Sequence, residues 1–181
     1  MNRQPTLEGE RLLLRPLRPD DRDTLFAVAS DPLVWTQHPE PDRWREPVFA
    51  AYFSSLLARG GSLAVIDRAN GALIGTSRFQ YGSPDDGGTV EIGSTVLARS
   101  HWGGGPNREI KRLMIAHALE FVAQVEFWAG ADNARSRRAL EKIGARLIDR
   151  TERVEVAGKQ VPHVVYAISR EDFASGPLQQ A

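Results

Sequence analysis

The chain has no cysteine among its 181 residues, which excludes a disulfide framework, a thiol nucleophile and a thiolate metal site. The absence fits a reducing compartment. There is no excess of either charge, since 23 basic residues balance 23 acidic ones. Bulk electrostatics therefore gives no reason to expect nucleic acid or a lipid surface as partner, and any anion site must be local. No apolar run approaches the length of a bilayer-crossing helix, and Met1 to Glu10 is mixed and polar, unlike a leader. A soluble, cytoplasmic protein is expected. His38, His101, His117 and His163 follow no His-Glu-x-x-His pattern or comparable spacing, so no metal is expected. The Gly-x-x-x-x-Gly-Lys phosphate loop is missing too.

What is present suffices for one substantial core: 41% of the residues are hydrophobic. A single domain over 1–181 is expected, with short polar termini at about 1–9 and 174–181. Residues 11–17 read as a first strand around Leu12-Leu13-Leu14, and Asp20 reads as the N-cap of a short helix that Asp31-Pro32 ends. In residues 47–58, Val48, Phe49, Tyr52, Phe53, Leu56 and Leu57 recur at helical spacing up to Gly60-Gly61. Two strands, 62–67 and 73–80, flank the hairpin signal Asn70-Gly71, and a glycine-rich turn at 83–88 leads to a strand over 89–97. Val90 and Ile92 share one face of that strand, and the broken alternation at Thr95 and Leu97 points to a bulge near Gly93-Ser94.

Three glycines, Gly103 to Gly105, then run into a helix beginning at Pro106, on which Ile110, Leu113, Met114, His117, Ala118, Phe121 and Val122 form the expected apolar face. A strand over 125–129, a helix over 134–143 and a strand over 145–149 follow. Strands at 153–156 and 163–168 pair across Ala157-Gly158, leaving a polar tail. Early helices, a meander and then alternating strand and helix describe an α+β fold, an α/β three-layer sandwich. Glycines that open a helix N-terminus present unpaired N–H groups to an anion, although a flexible turn with a helix cap has the same composition.

The ordered set Arg11-Leu-Leu-Leu-Arg-Pro-Leu17, Val90-Glu-Ile-Gly93, Trp102-Gly-Gly-Gly-Pro-Asn-Arg-Glu-Ile-Lys111, Asn133-Ala-Arg-Ser136 and Leu140-Glu-Lys-Ile-Gly144 resembles the GCN5-related N-acetyltransferases, in particular their ribosomal-protein and N-terminal acetylating branch. The resemblance implies a mixed, mostly antiparallel twisted sheet with helices on both faces. It also implies acetyl-CoA as acyl donor, held in a splay between central strands, and a primary amine, such as a peptide or protein N-terminus, as acceptor. The implied cofactor contacts are Thr95, Val96 and Leu97 for the pantetheine arm, then Arg99, Gly103, Gly104, Gly105, Asn107 and Arg108 around the pyrophosphate, with Asn133 and Ser136 beyond. Arg135, Arg137 and Arg138 are candidates for the adenosine 3′-phosphate, or a solvated charged face.

The implied chemistry is direct transfer from thioester to neutral amine. Glu91 is the leading base or amine-orienting, substrate-binding residue, acting through water, with a solvent-facing carboxylate or an arginine partner as the alternative. A backbone N–H from Thr95 to Leu97 is the expected oxyanion donor. Related enzymes more often have a Tyr near the position of Ser136 to return a proton to sulfur; here Ser136 or an ordered water would substitute in that role, with an Asn-Ser helix cap as the alternative reading of Ser136. Trp35 and His38 are expected to touch the acceptor, whereas Tyr52 and Phe53 read as packing. The late strands leave a homodimer open, and a CoA-binding sensor or scaffold without catalysis is the alternative function.

Overall fold

The computed structural model describes residues 1–80, 88–103, 105–156 and 158–179. Most of the turn at 83–88, Gly104 and Ala157 lie outside the described residues. Eight strands form one sheet: β1 (Leu7–Glu8), β2 (Leu12–Pro16), β3 (Ser62–Asp67), β4 (Leu73–Phe79), β5 (Thr89–Leu97), β6 (Gln124–Gly130), β7 (Arg146–Val156) and β8 (Lys159–Ser169). Their spatial order is β1-β2-β3-β4-β5-β6-β8-β7. Every neighbouring pair is antiparallel except β5 and β6, whose parallel pairing is confined to residues 89–91 against 124–126. A parallel pair needs a crossover, and α3 (Pro106–Leu119) supplies it.

Helices α1 (Arg22–Ala29) and α2 (Glu46–Arg59) cover one face, where Leu25, Phe49, Tyr52, Phe53 and Leu56 pack with Ala64 and Val96 of the sheet. On the other face α3, α4 (Ala134–Lys142) and α5 (Arg170–Ser175) bring Met114, Leu140 and Phe173 against Leu14, Val65, Ile92 and Phe127. Fully burying a side chain such as Met114 contributes about 1.5–3 kcal/mol. Ridges of such residues on α3 dock the helix that carries the glycine turn.

Several local expectations change. A 3-10 turn, Pro19–Asp21, precedes α1, so Asp20 is not its cap; Asp21 instead accepts from both Arg15 guanidinium nitrogens, at 2.7 and 2.6 Å, and from the Arg18 amide at 2.8 Å. The segments at 145–149 and 153–156 are one strand, β7, with a register irregularity between Leu147 and Thr151. The polar tail contains α5, opened by a reciprocal capping box between Ser169 and Asp172.

The buried face of α3 is also rotated from the expected one. Glu109, Ile110, Lys111, Met114, Ile115, Ala118 and Leu119 are inside, while Phe121 is 50% exposed and His117 reaches the Asn2 carbonyl at 2.8 Å. Two charged residues in the first two turns lie on the packed side, which hid the true phase of the helix. Glu109 is there because its carboxylate accepts from the Arg11 and Leu12 amides, at 2.9 and 3.2 Å. Lys111 belongs to the site.

Candidate active site

The irregularity in β5 builds the site. Ser94 takes φ +48, the one non-glycine left-handed residue among those described, and the β4–β5 register shifts between Thr76 and Arg78. In a regular strand residues 91, 93, 95 and 97 would share a face. Here Val90 and Ile92 join the α3-side cluster, and after the bulge Leu97 joins it too, while Val96 joins the α1/α2 side. Glu91 and Gly93 thus face α1 and α2, and Thr95 faces α3. The same distortion ends the pairing with β6, so the two strands part beyond Glu91 and Glu126.

The resulting cleft has a volume of about 670 Å³ and runs from the 32–38 segment, past residues 92–97 of β5 and 127–130 of β6, to the glycine turn and α4. The amide of Ala98 donates to Ile74 of β4 at 2.8 Å. Strand alternation therefore turns the Thr95 and Leu97 amides away from β4, into the gap, and leaves the Val96 amide to β4. Gly103 has φ +74, with open space where a Cβ would stand. Asn107 and Arg108 follow on the cleft wall at the start of α3.

Most expected residues converge here. Trp35, His38, Thr95, Val96, Leu97, Gly103, Asn107, Arg108, Asn133 and Ser136 all line the cleft. Asn133 caps α4 by accepting from the Ser136 amide at 3.0 Å, which leaves its amide nitrogen for a ligand. The Trp35 indole N–H donates to the Ala29 carbonyl at 2.7 Å, so the ring offers the cleft only its carbon surface. His38 accepts from the Glu40 amide through Nδ1 at 3.0 Å, and burial, then the Arg43 guanidinium, lower its pKa to about 3. It is a neutral imidazole at working pH.

Two of the expected cofactor contacts, Arg99 and Gly105, stand off the wall. Arg99 is drawn away by Asp31, Nε to Oδ2 at 3.0 Å. Gly105 packs under the Arg11 guanidinium, which a Cβ there would strike. Gly104 lies outside the described residues. Of the arginines on α4, Arg138 and Arg135 line the cleft, but Arg137 is committed to Tyr166 Oη at 3.2 Å and the Ala131 carbonyl at 3.1 Å.

Glu91 sits immediately behind the wall. It is 9% exposed, accepts from Gln80 Nε2 at 2.8 Å, and its Oε1 lies 2.7 Å from where a Gly93 Cβ would be. Gly93 itself lines the cleft, and the carboxyl, with the Gln80 amide beside it, fills the space that a side chain at Gly93 would take. Burial is the main cause that raises the Glu91 pKa, to about 7; the Gln80 bond and Arg78 oppose it, and the in-register neighbour Glu126 adds to it. Glu126 is held by both guanidinium nitrogens of Arg150 and by the Trp128 indole at 3.3 Å.

Among the cleft residues that escaped the sequence reading, four stand out: Tyr52, Arg43, Trp102 and Lys111. Tyr52, taken as packing, also lines the cleft, and its buried hydroxyl has no hydrogen-bond partner among the described residues. The Arg43 guanidinium lies 4.3 Å over its ring and is paired to Glu40 at 2.5 Å. Trp102 donates its indole N–H to the Leu97 carbonyl at 2.9 Å while Arg135 stacks on its ring at 4.5 Å. Arg135 in turn donates to the Val34 carbonyl at 2.8 Å, so this pair ties the glycine turn to α4 and the 32–34 turn across the cleft. Lys111 is the fourth. Its helical phase was the available signal.

Trp102→Ala should cost about 1–2 kcal/mol of stability through the lost hydrogen bond and cation–π contact, and raise KM for the donor roughly threefold or more. Denaturant melts and initial rates check this, and an unchanged KM would show that the pair does not shape the donor site.

Comparison with known proteins places these features together. A family model described as an acetyltransferase (GNAT) domain matches residues 11–146. A GCN5-related N-acetyltransferase from Brucella melitensis superposes with a TM-score of 0.77 at 22% identity, over 98% of this chain and 83% of that one. A GNAT-family acetyltransferase from Bacillus anthracis gives 0.70 at 21%, over 92% and 99%. Mycobacterium smegmatis RimJ, in complex with CoA-disulfide, gives 0.66 at 21%, over 93% and 86%. No curated protein matches the chain.

Proposed function

Because the chain belongs to the acetyltransferase (GNAT) family, whose activity is acetyl transfer from acetyl-CoA, we propose that it acetylates a primary amine and that the preferred acceptor is the α-amino group of a peptide or protein. The observation that carries this reading is Glu91, a buried carboxyl with a pKa raised to about 7, directly behind Gly93. A base of that strength matches an α-amino group, pKa about 7.7–8, far better than a lysine side chain, about 10.4.

In this reading the donor's pyrophosphate lies on the 103–107 turn, favoured by the N-terminal dipole of α3. Its pantetheine arm pairs with the inward amides of Thr95 and Leu97, and Asn133 holds the arm from the opposite wall. The acceptor enters from the α1/α2 side, against Trp35, His38 and Tyr52, whose unpaired hydroxyl is a ready partner. Its amine attacks in the neutral form, and Glu91 takes, through one water, the proton that the nitrogen sheds. An inward β5 amide then stabilises the carbonyl oxygen as the C–N bond forms. Proximity in the narrow gap supplies the rest.

Transfer should be measured with peptides carrying a free α-amine and no lysine, and with N-terminally blocked peptides that keep lysine. CoA release with the first set alone is expected. Release with lysine peptides alone would overturn the acceptor assignment, and tight CoA binding without any transfer would favour a sensor or scaffold.

A further inference from the structure

Lys111 is a lysine in the wrong place for a surface helix. It is 5% exposed, it projects from the second turn of α3, and it lines the cleft. Its Nζ donates to Thr95 Oγ1 at 2.8 Å, and that hydroxyl meets Ser77 Oγ at 2.8 Å. The ammonium also lies 5.4 Å from the centre of the Phe127 ring. Thr95 stands on β5 and Phe127 on β6, one on each side of the gap where the two strands part. Lys111 thus closes the gap from the α3 side. One of its three donors is used on Thr95, and the aromatic face can satisfy the charge without taking a hydrogen bond.

Glu91 flanks the same gap from the α1/α2 side. A thioester held between them has a carboxylate where the amine arrives and an ammonium where the sulfur departs. Burial lowers the Lys111 pKa to about 7, and the charge of Glu91 opposes that fall. Arg78 on β4 and Glu126 on β6 act on Glu91, whereas Arg138 and Lys142 of α4 line the same cleft.

Resting on the acetyl-transfer reading above, we infer that Lys111 is the acid of the reaction, giving a proton from Nζ to the departing CoA thiolate. The amine nitrogen bonds to the acetyl carbon, the C–S bond breaks with its electron pair on sulfur, Glu91 takes the amine proton and Lys111 supplies one to sulfur. The products are the amide, CoA thiol, neutral Glu91 and neutral Lys111. Proton exchange with solvent restores the ionised pair. Ser136, also on the wall, is a poorer source: an alcohol has no proton to release near neutral pH unless another group resupplies it.

The test is a titration of bound CoA, followed by the ultraviolet absorbance of its thiolate, which needs neither acceptor nor turnover. In the wild-type protein the bound thiol should titrate about 1 unit or more below free CoA, because thiolate formation draws Lys111 into its charged form and the two charges stabilise each other. In Lys111→Met the shift should vanish while CoA still binds in calorimetry. Thr95→Val, which removes the seat of the ammonium, should reduce it. In steady state, Lys111→Met should lower kcat about 100-fold and lose the alkaline limb of the kcat–pH profile, its acid limb moving to higher pH as Glu91 loses its nearby cation. Lys111→Arg should keep the thiol shift but not restore kcat, since a guanidinium holds its proton. An unshifted thiol in the wild-type complex, or full kcat in Lys111→Met, overturns the assignment while leaving acetyl transfer standing. Failure of CoA to bind the wild-type protein overturns both.

Discussion

Glu91→Gln is expected to lower kcat by about 100-fold or more while acetyl-CoA affinity stays within about twofold, because the change removes a proton acceptor and leaves the donor site intact. In the wild type, kcat should pass through a maximum near pH 7, its acid-side ascent set by this carboxyl, which burial has raised to about 7, and its alkaline descent by Lys111. The variant should lose that ascent. Stability moves the other way. A folded-state pKa above the ordinary carboxyl value of 4.5 means that the group favours the folded state at low pH and that this contribution is lost as pH rises from about 4.5 to 7. Ionised Glu91 therefore costs on the order of 3 kcal/mol above pH 7. Glu91→Gln should unfold at a denaturant concentration no lower than wild type at pH 8. A merely structural carboxylate would show the reverse: a destabilised variant with nearly full kcat.

Gly103→Val is the second large effect. The residue holds φ +74, a conformation that costs a β-branched side chain about 1–2 kcal/mol or more. Among the described residues beyond its chain neighbours, no atom lies within 4 Å of where its Cβ would stand. A loss of affinity would thus come from the shape of the turn and from blocked approach to its amides. Acetyl-CoA Kd should rise more than tenfold by calorimetry. Gly105→Ala is the control, since the new Cβ meets only the Arg11 side chain, whose far end can move. Equal losses at the two positions would place the pyrophosphate elsewhere.

The contrast between these glycines shows what was legible in the chain. The Gly103 to Gly105 run marked the turn, yet composition does not say which amide faces a ligand; that depends on the φ of Gly103 and on Arg11, which arrives from just before β2. The bulge was readable because apolar alternation failed at Thr95 and Leu97. Its consequence, two strands parting over a cleft, requires the β6 pairing that no local pattern contains. Asn133 and Ser136 were placed by the ordered motifs, and both line the cleft. Arg99 turns instead to Asp31, just beyond the end of α1, a pairing that no local pattern contains. Lys111 was overlooked for a physical reason: a lysine within a helix reads as solvated surface, and its burial is tolerated only because Thr95, the Phe127 ring and the field of Glu91 meet it. Counting Lys111 as inside would have given the correct phase for α3.

Glu91 and Lys111 also explain why the site is built around a distortion. Without the left-handed Ser94, Thr95 would point to the same face as Glu91, and the lysine would lose its anchor. The strain at one residue thus gives Lys111 its anchor on the side of the sheet opposite Glu91.

The most direct measurement is a mass balance of CoA released from acetyl-CoA against acetyl groups gained by a peptide with a free α-amine, in wild type and in Glu91→Gln. One CoA per acetylated N-terminus, with the rate collapsing in the variant while donor binding persists, is the predicted result. CoA release without acetylated peptide, or an undiminished rate in Glu91→Gln, would contradict it.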